Sequence, residues 1–375
     1  MSKIAIISPY APPEKGAVVL RLESFRKFFE QKGFEVEILS PERKGVPSAN
    51  GIIRYRNLYG LFRAIKNGKP DLVIGTSPPM TDSFFAMLLA KITGKPFVLD
   101  IRDPWTESIV GLGIYKKNSF KIKVYRAIER ISYRFADRIF VVTGHIKESM
   151  QNKGVKKEKL VLVENGTEKE IFRFSEKERE KMRKQLGLNG VTGIYAGSFA
   201  SRELDEMLLS VAPLIRKTGM KLMLVIPYSE EKEGYLNMKR IIKKENLEKN
   251  IIFADSSQKG IPFNELYKYF SAADFGIVTL NNSLEYCIPV KTYDYVSCGL
   301  KVIAKGPENG ALRDIFQEKD LGIYSDNWKD FGNSAEKIVK MKNIRGKTSK
   351  ISEADFGRNL QNEKAFMEIK KLLKN

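Results

Sequence analysis

Histidine and cysteine are nearly missing from this chain: one histidine, His145, and two cysteines, Cys287 and Cys298, occur in 375 residues. A zinc cluster of the usual ligands, a disulfide scaffold and a Ser-His-Asp site therefore have little material to build from. Sparse thiols suit a reducing, cytoplasmic setting. Neither GxGxxG nor GxxxxGK[ST] occurs, which counts against dinucleotide-dependent dehydrogenases and P-loop NTPases. Long hydrophobic runs are absent too. The longest apolar patch, FFAMLLA at 84–90, is far below a membrane span. The N-terminus MSKIAIISPY enters a strand at once, without the charged region, apolar core and cleavage site of a signal peptide. The expectation is a protein that is soluble or at most peripheral on a membrane.

What is present points to a folded protein of two domains. The length exceeds one ordinary hydrophobic core, and 42% hydrophobic with 29% charged residues is a globular composition. The net charge is +20 with a pI near 9.6, and residues 1–170 hold 30 basic against 18 acidic side chains, more than half of the excess. Such a balance implies an anionic partner, phosphate or an acidic membrane face, or else a lysine-rich surface with no specific partner.

Short apolar runs alternate with helical patterns along the whole chain. IAIIS (4–8) precedes VVLRLESFRKFFEQKG, DLVIGTS precedes MTDSFFAMLLAKITG, and PFVLDI and RIFVVT precede further helices. After the charged helix EKEREKMRKQLG at 176–187 the alternation restarts with TGIYAGS, KLMLVIPYS, NIIFADS, FGIVTL, LKVIAK and LGIYS. This predicts an α/β chain of two tandem Rossmann-like, doubly wound domains, 1–170 and 190–358, with a last helix at about 360–375 packing back on the first domain. Ligands in such sheets bind outside the carboxyl ends of the strands, so chemistry is sought in the loops there.

Four constellations meet that requirement. Gly16, between the first strand and its helix, lets backbone approach a ligand and leaves helix N-terminal amides free for an anion; an ordinary glycine turn is the alternative. DIRDPWTES (100–108) sets Arg102, Asp103 and Trp105 at a strand end, where an Asp-Arg pair can hold a hydroxyl or developing charge and an indole can stack on a sugar. A loop-fastening ion pair is the rival. YAGSFASREL (195–204) offers Gly197, Ser198 and Arg202 as a diphosphate cradle at a helix start. IPVKTYDYVSCG places Lys291 and Asp294 at the start of another helix. In addition, 114–134 interleaves seven basic residues with aromatic and branched ones, a pattern an acidic lipid surface attracts or a core-packed helix with a solvated face also shows. His145 reads as a helix-start residue, and the cysteines, eleven positions apart, as unreactive thiols.

Taken together, SPYAPPEKGAVVLRL, LDIRDPWTES, RIFVVTGHIKESM, YAGSFASRELDEML and IPVKTYDYVSCGLKVIA resemble, in order, the retaining glycosyltransferases of family four, with the glycosyltransferase B fold. The likeness is to enzymes that build surface polysaccharides and lipid-linked glycans. It implies two domains facing across a cleft and a nucleoside-diphosphate sugar, UDP or GDP, held mainly by the second. It also implies no cofactor and no obligatory metal, with which the lack of any DxD agrees. On this pattern Gly16 approaches the donor, Arg202 and Lys291 meet the diphosphate, Asp294 binds the ribose, and Arg102 and Asp103 orient hydroxyls from the opposite wall. The family's usual glutamate pair is altered: Asp294 takes the second place, and Tyr286 stands eight residues earlier with Glu285 one position off. The expected acceptor is a hydroxyl on a glycan or lipid-linked sugar. The rivals are a sugar-nucleotide 2-epimerase of the same fold and a non-enzymatic nucleotide- or nucleic-acid-binding protein, the latter without a recognisable nucleic-acid module.

Overall fold

The computed structural model describes residues 2–14, 16–47, 49–197, 202–226, 233–254, 260–341, 344–345 and 356–374, the side chain of Arg202 excepted. Its strands pair in parallel throughout, in two sheets. The first contains β1 (Lys3–Ile7), β2 (Glu35–Pro41), β3 (Ile52–Tyr55), β4 (Leu72–Ser77), β5 (Phe97–Ile101), β6 (Arg138–Val141) and β7 (Leu160–Leu162), in the order β3-β2-β1-β4-β5-β6-β7. The second contains β8 (Thr192–Ala196), β9 (Lys221–Val225), β10 (Ile251–Phe253), β11 (Phe275–Thr279), β12 (Lys301–Lys305) and β13 (Gly322–Ser325), in the order β10-β9-β8-β11-β12-β13. Both sheets are doubly wound: the order reverses at β1/β4 in one and at β8/β11 in the other, and each reversal opens a crevice outside the carboxyl ends. β3 and the helix Leu58–Gly68 add to the alternation read from the sequence. IIRY is a four-residue edge strand whose two central residues are only partly buried, too short and mixed to announce itself.

Two compact units result, Met1–Asn165 with Arg358–Asn375, and Gly166–Gly357. In the first, Leu22, Phe25 and Phe29 of the helix Ala17–Gln31 recur at helical spacing and pack over the sheet with Ile4, Ile6, Ile38 and Ile74. The helix Arg358–Lys374 joins that core through Phe366, whose ring lies 5.6 Å from Phe34 and 6.3 Å from Phe29, and through Asn362, which donates to Ser24 Oγ at 2.7 Å. In the second unit Leu208, Val211 and Phe331 fill one face of the sheet, and Phe270, Tyr293 and Tyr295 fill the other.

A buried ion pair joins the first helix of this unit to β5. Arg21 is 4% exposed and Asp100, on β5, is fully buried. The guanidinium meets the carboxylate through Nη2 at 2.8 Å and Nε at 3.1 Å, and donates further to the carbonyls of Val163 at 3.0 Å and Glu164 at 3.1 Å. Removing one partner leaves the other charge buried alone, which is far worse than removing both. Asp100→Ala is expected to lower the unfolding free energy of the first unit by about 3–5 kcal/mol, with Arg21→Leu/Asp100→Leu much less damaged. Urea denaturation followed by circular dichroism checks this, and equal losses in the two variants would refute it.

Candidate functional site

In the second unit the crevice lies between β8 and β11. Gly197 follows β8 directly, and its N–H donates to Val225 O at 3.0 Å. The helix Val290–Ser297, which follows β11, sends Lys291 to the same place. The Lys291 ammonium sits 3.9 Å from the Tyr195 ring centroid and 3.2 Å from where a Cβ on residue 197 would stand. A side chain at 197 would crowd the ammonium, so glycine here serves the lysine as much as the turn. Burial pulls the Lys291 pKa below its ordinary value, against the opposing pull of Tyr195. Among the described residues no carboxylate pairs with it. One turn further along, Tyr295 is fully buried and its Oη accepts from the Ala196 N–H at 2.7 Å, which fixes the end of β8. A desolvated ammonium on an aromatic face, beside a residue without a Cβ, has the charge and the open approach that an anion requires.

The other residues expected with Lys291 are distributed differently. Asp294 is 5% exposed and its Oδ1 accepts from Thr167 Oγ1 at 2.8 Å, an arrangement that favours fixing the helix over touching a ribose. Glu285 is exposed, on a loop whose carbonyl at that residue accepts from Ala311 N at 2.8 Å. Ser198 lies outside the described residues, as does the side chain of Arg202, the first residue of the helix Arg202–Thr218. Sequence reasoning passed over Lys305 at the end of β12. It is 6% exposed, donates to Asn282 Oδ1 at 2.6 Å and lies 5.2 Å from the Trp328 ring, with burial drawing its pKa down. It passed over Tyr195 and Thr167 as well, because an apolar-looking strand position and a lone threonine carry no motif.

In the first unit Gly16 takes φ +140° at the start of the helix Ala17–Gln31, with open space where a Cβ would be. That conformation belongs to glycine. Arg102 follows β5; its Nη2 donates to Pro78 O at 3.1 Å while its buried Nε has no partner among the described residues. Burial draws its pKa down to about 10, Asp100 opposing, so the guanidinium stays charged at neutral pH. Asp103 accepts from Ser108 Oγ at 2.5 Å and so ties the loop to the helix Trp105–Gly111. The Trp105 indole packs on Tyr125 with centroids 4.4 Å apart, a partner the sugar-stacking idea did not anticipate. Behind it the buried Glu129 accepts from Thr106 N at 3.0 Å, and burial raises its pKa. His145 is the second residue of the helix Gly144–Asn152, capped by Thr143. No helix runs through both cysteines: Cys287 precedes Val290–Ser297 and Cys298 ends it, its thiol pushed up by burial.

Comparison with known proteins bears on both units. Residues 17–166 match the family described as Glycosyl transferase 4-like domain. Over 160 residues the chain is 28% identical to WcaI of Escherichia coli, whose name assigns it provisionally to colanic acid biosynthesis as a glycosyl transferase. That alignment takes in 41% of this chain and 39% of WcaI, so the chain spans about two fifths of the length of this relative. Among solved structures, sucrose-phosphate synthase from Thermosynechococcus elongatus superposes with a TM-score of 0.75 at 16% identity over 100% of both chains. HepE of Anabaena, in complex with UDP and glucose, gives 0.74 at 14% identity over 99% of this chain and 100% of its own. A UDP-N-acetylglucosamine 2-epimerase from Listeria monocytogenes, so named provisionally, gives 0.65 at 13% identity over 99% of this chain and 96% of its own. Residues 17–166 thus match a glycosyl transferase 4-like domain, in a chain that has the fold of the glycosyltransferase B proteins.

Proposed function

We propose that this protein is a retaining, metal-independent glycosyltransferase that moves a sugar from a nucleoside diphosphate, UDP or GDP, to a hydroxyl of a glycan or lipid-linked acceptor, in surface polysaccharide or glycoconjugate synthesis. The observation that carries the reading is the Lys291 ammonium held against Gly197 and Tyr195 at the end of β8, without a carboxylate partner among the described residues. As the anomeric carbon–oxygen bond breaks, negative charge grows on the leaving diphosphate, and a preorganised cation there lowers the barrier. The motif assigns Ser198 and Arg202 to the same diphosphate. The acceptor oxygen bonds to the anomeric carbon on the face the diphosphate leaves, and its proton passes to a diphosphate oxygen. Arg102, with an unused Nε, orients sugar or acceptor hydroxyls beside Gly16. Asp103 and Asp294 hold their loop and helix in place, and Glu285 contacts the donor sugar. The retained configuration rests on the order of motifs. The epimerase alternative shares the fold, but the unit with the family match is that of a glycosyl transferase.

A peripheral position on the inner face of the cell membrane belongs to the same proposal. No helix among the described residues is long and apolar enough to cross a membrane. The helix Phe120–Phe135 nevertheless turns Phe120, Val124, Ile131 and Phe135 to solvent, Phe120 being 80% exposed. At about 100° per residue these four fall within an arc of about 60°. They lie opposite the buried Ile122, Glu129 and Tyr133, and Lys123, Arg130 and Arg134 run along one flank. An apolar stripe edged with cations fits an acidic lipid surface.

Two measurements test these readings. UDP or GDP at about a hundred times its dissociation constant is expected to stabilise the protein by about 2.7 kcal/mol. Lys291→Met is expected to abolish that shift while raising the ligand-free melting temperature by about 2–4 °C, about 1 kcal/mol for a unit of this size, because it removes a partly buried charge that has no carboxylate partner among the described residues. The sign follows from the depressed pKa: below it the folded state carries the unfavourable charge, and as pH rises through it towards 10.5 the wild type gains on the variant. Stabilisation by oligonucleotides and by no nucleoside diphosphate or its sugar would sink the proposal. For the membrane face, vesicles rich in phosphatidylglycerol should sediment the protein in a salt-dependent manner, with Phe120→Ser/Ile131→Ser reducing the bound fraction at least fivefold. Equal sedimentation of the variant would exclude this helix as the docking element.

A further inference from the structure

A second cationic feature of the first unit lies apart from every residue given a role above. A cavity of about 490 Å³, lined by Glu42, Arg43, Lys44, Val46, Arg54 and Arg56, opens where β2 and β3 end. Because the sheet is parallel and runs β3-β2-β1-β4-β5, this is the same edge that carries Gly16 after β1 and Arg102 after β5. Its volume suits a small polar ligand.

Arg54 forms the rigid part of the wall. Its side chain is 6% exposed, and its guanidinium donates to Ser40 Oγ at 3.0 Å, to Pro12 O at 3.1 Å, and to Ala11 O and Glu14 Oε2 at 3.3 Å. The cavity is therefore welded to the loop that leads into Gly16. Arg43 lies over the half-exposed Tyr10 ring at 4.1 Å and donates to Glu14 Oε1 at 2.5 Å. Arg56 pairs with Glu42 at 2.8 Å and its side chain is otherwise 80% exposed. Lys44 is exposed and has no carboxylate partner among the described residues. Four cations thus face two carboxylates, Glu14 and Glu42: Arg54 and Arg43 are fixed on Glu14 and form the wall, and the excess positive charge lies on the exposed Lys44 and Arg56 at its mouth. Guanidinium and ammonium groups gathered at one opening, with more cations than carboxylates, bind phosphate or carboxylate in preference to neutral sugars.

We propose that this cavity is an acceptor subsite for an anionic group, so that the acceptor is a charged glycan or glycan carrier and not a neutral sugar. This rests on the glycosyltransferase reading, which assigns the donor diphosphate to the other unit and leaves this edge of the first to the acceptor. A phosphate would come from a lipid-phosphate carrier, a carboxylate from an acidic sugar of the growing chain.

The full chain carrying Lys291→Met, which silences the proposed donor site, is titrated calorimetrically with inorganic phosphate, glucuronate and glucose, with and without Lys44→Ala/Arg56→Gln. Both added positions are exposed, so the fold is expected to stand. At least one anion should bind more tightly than glucose, and the double substitution should weaken it at least tenfold; the preferred anion tells phosphate carrier from acidic sugar. Binding of neither anion, anion affinity unchanged by the double substitution, or glucose bound equally well would each overturn the proposal. Nucleotide stabilisation of the protein with Lys291 intact reports separately on the donor reading, so the two fail independently.

Discussion

In an all-parallel sheet every strand ends at the same edge, and where the strand order reverses the connecting loops part and leave that edge open. Both sheets obey this constraint, at β1/β4 and at β8/β11. Strand ends and helix starts meet there with backbone groups that neither the sheet nor the helix pairs internally. Polar groups collect at the edge because nothing else can satisfy strand ends and helix starts together. Gly16, Arg102, Gly197 and Lys291 all sit on such edges, and so do the arginines at the ends of β2 and β3.

Charge at these edges is of two kinds, separated by what compensates it. Arg21 has Asp100 on one side and two carbonyls on the other, with four of its five N–H donors answered. Such a group fixes structure and is unavailable to a ligand. Lys291 has the ring and the hydroxyl of Tyr195 and no counter-ion among the described residues, contacts that recover only part of the desolvation free energy. Arg102 lies between, with one carbonyl acceptor and one orphaned donor. Free energy left uncompensated in the empty protein is available for binding, which is why perturbed, unpaired cations mark sites more reliably than paired ones.

The fold was legible because its signal is local. Runs such as IAII, LVIG and KVIA carry the period and composition of buried parallel strands, and the glycines and polar residues after them mark the turns. β3 escaped because an edge strand of four residues alternates weakly, even though Asn50-Gly51 before it and the capping Asn57 after it mark its ends. The site was legible as far as strand ends go. What distinguishes Arg21 from Arg102, or Asp100 from Asp103, is not: all four flank the same crevice in sequence, and only tertiary contact shows which two neutralise each other. Thr167 and Tyr195 escaped for the same reason, since each matters only through a partner about a hundred residues away.

The helix Val290–Ser297 shows how one short element divides such roles. Lys291 and Tyr295 are four residues apart and therefore point the same way, the lysine to Gly197 and the tyrosine to the Ala196 amide. Together they grip the end of β8 from one side. Tyr295 supplies a neutral acceptor that completes the backbone there, and that completion lets Lys291 bring a charge to the next residue without competing for it. Asp294 and Tyr293 are turned to other surfaces, the first to Thr167 and the second to the Phe356 ring 5.1 Å away. An aspartate carried round to the lysine's face would neutralise the ammonium and remove the reason an anion would bind. Keeping it one step off that face preserves both the helix and the unpaired charge.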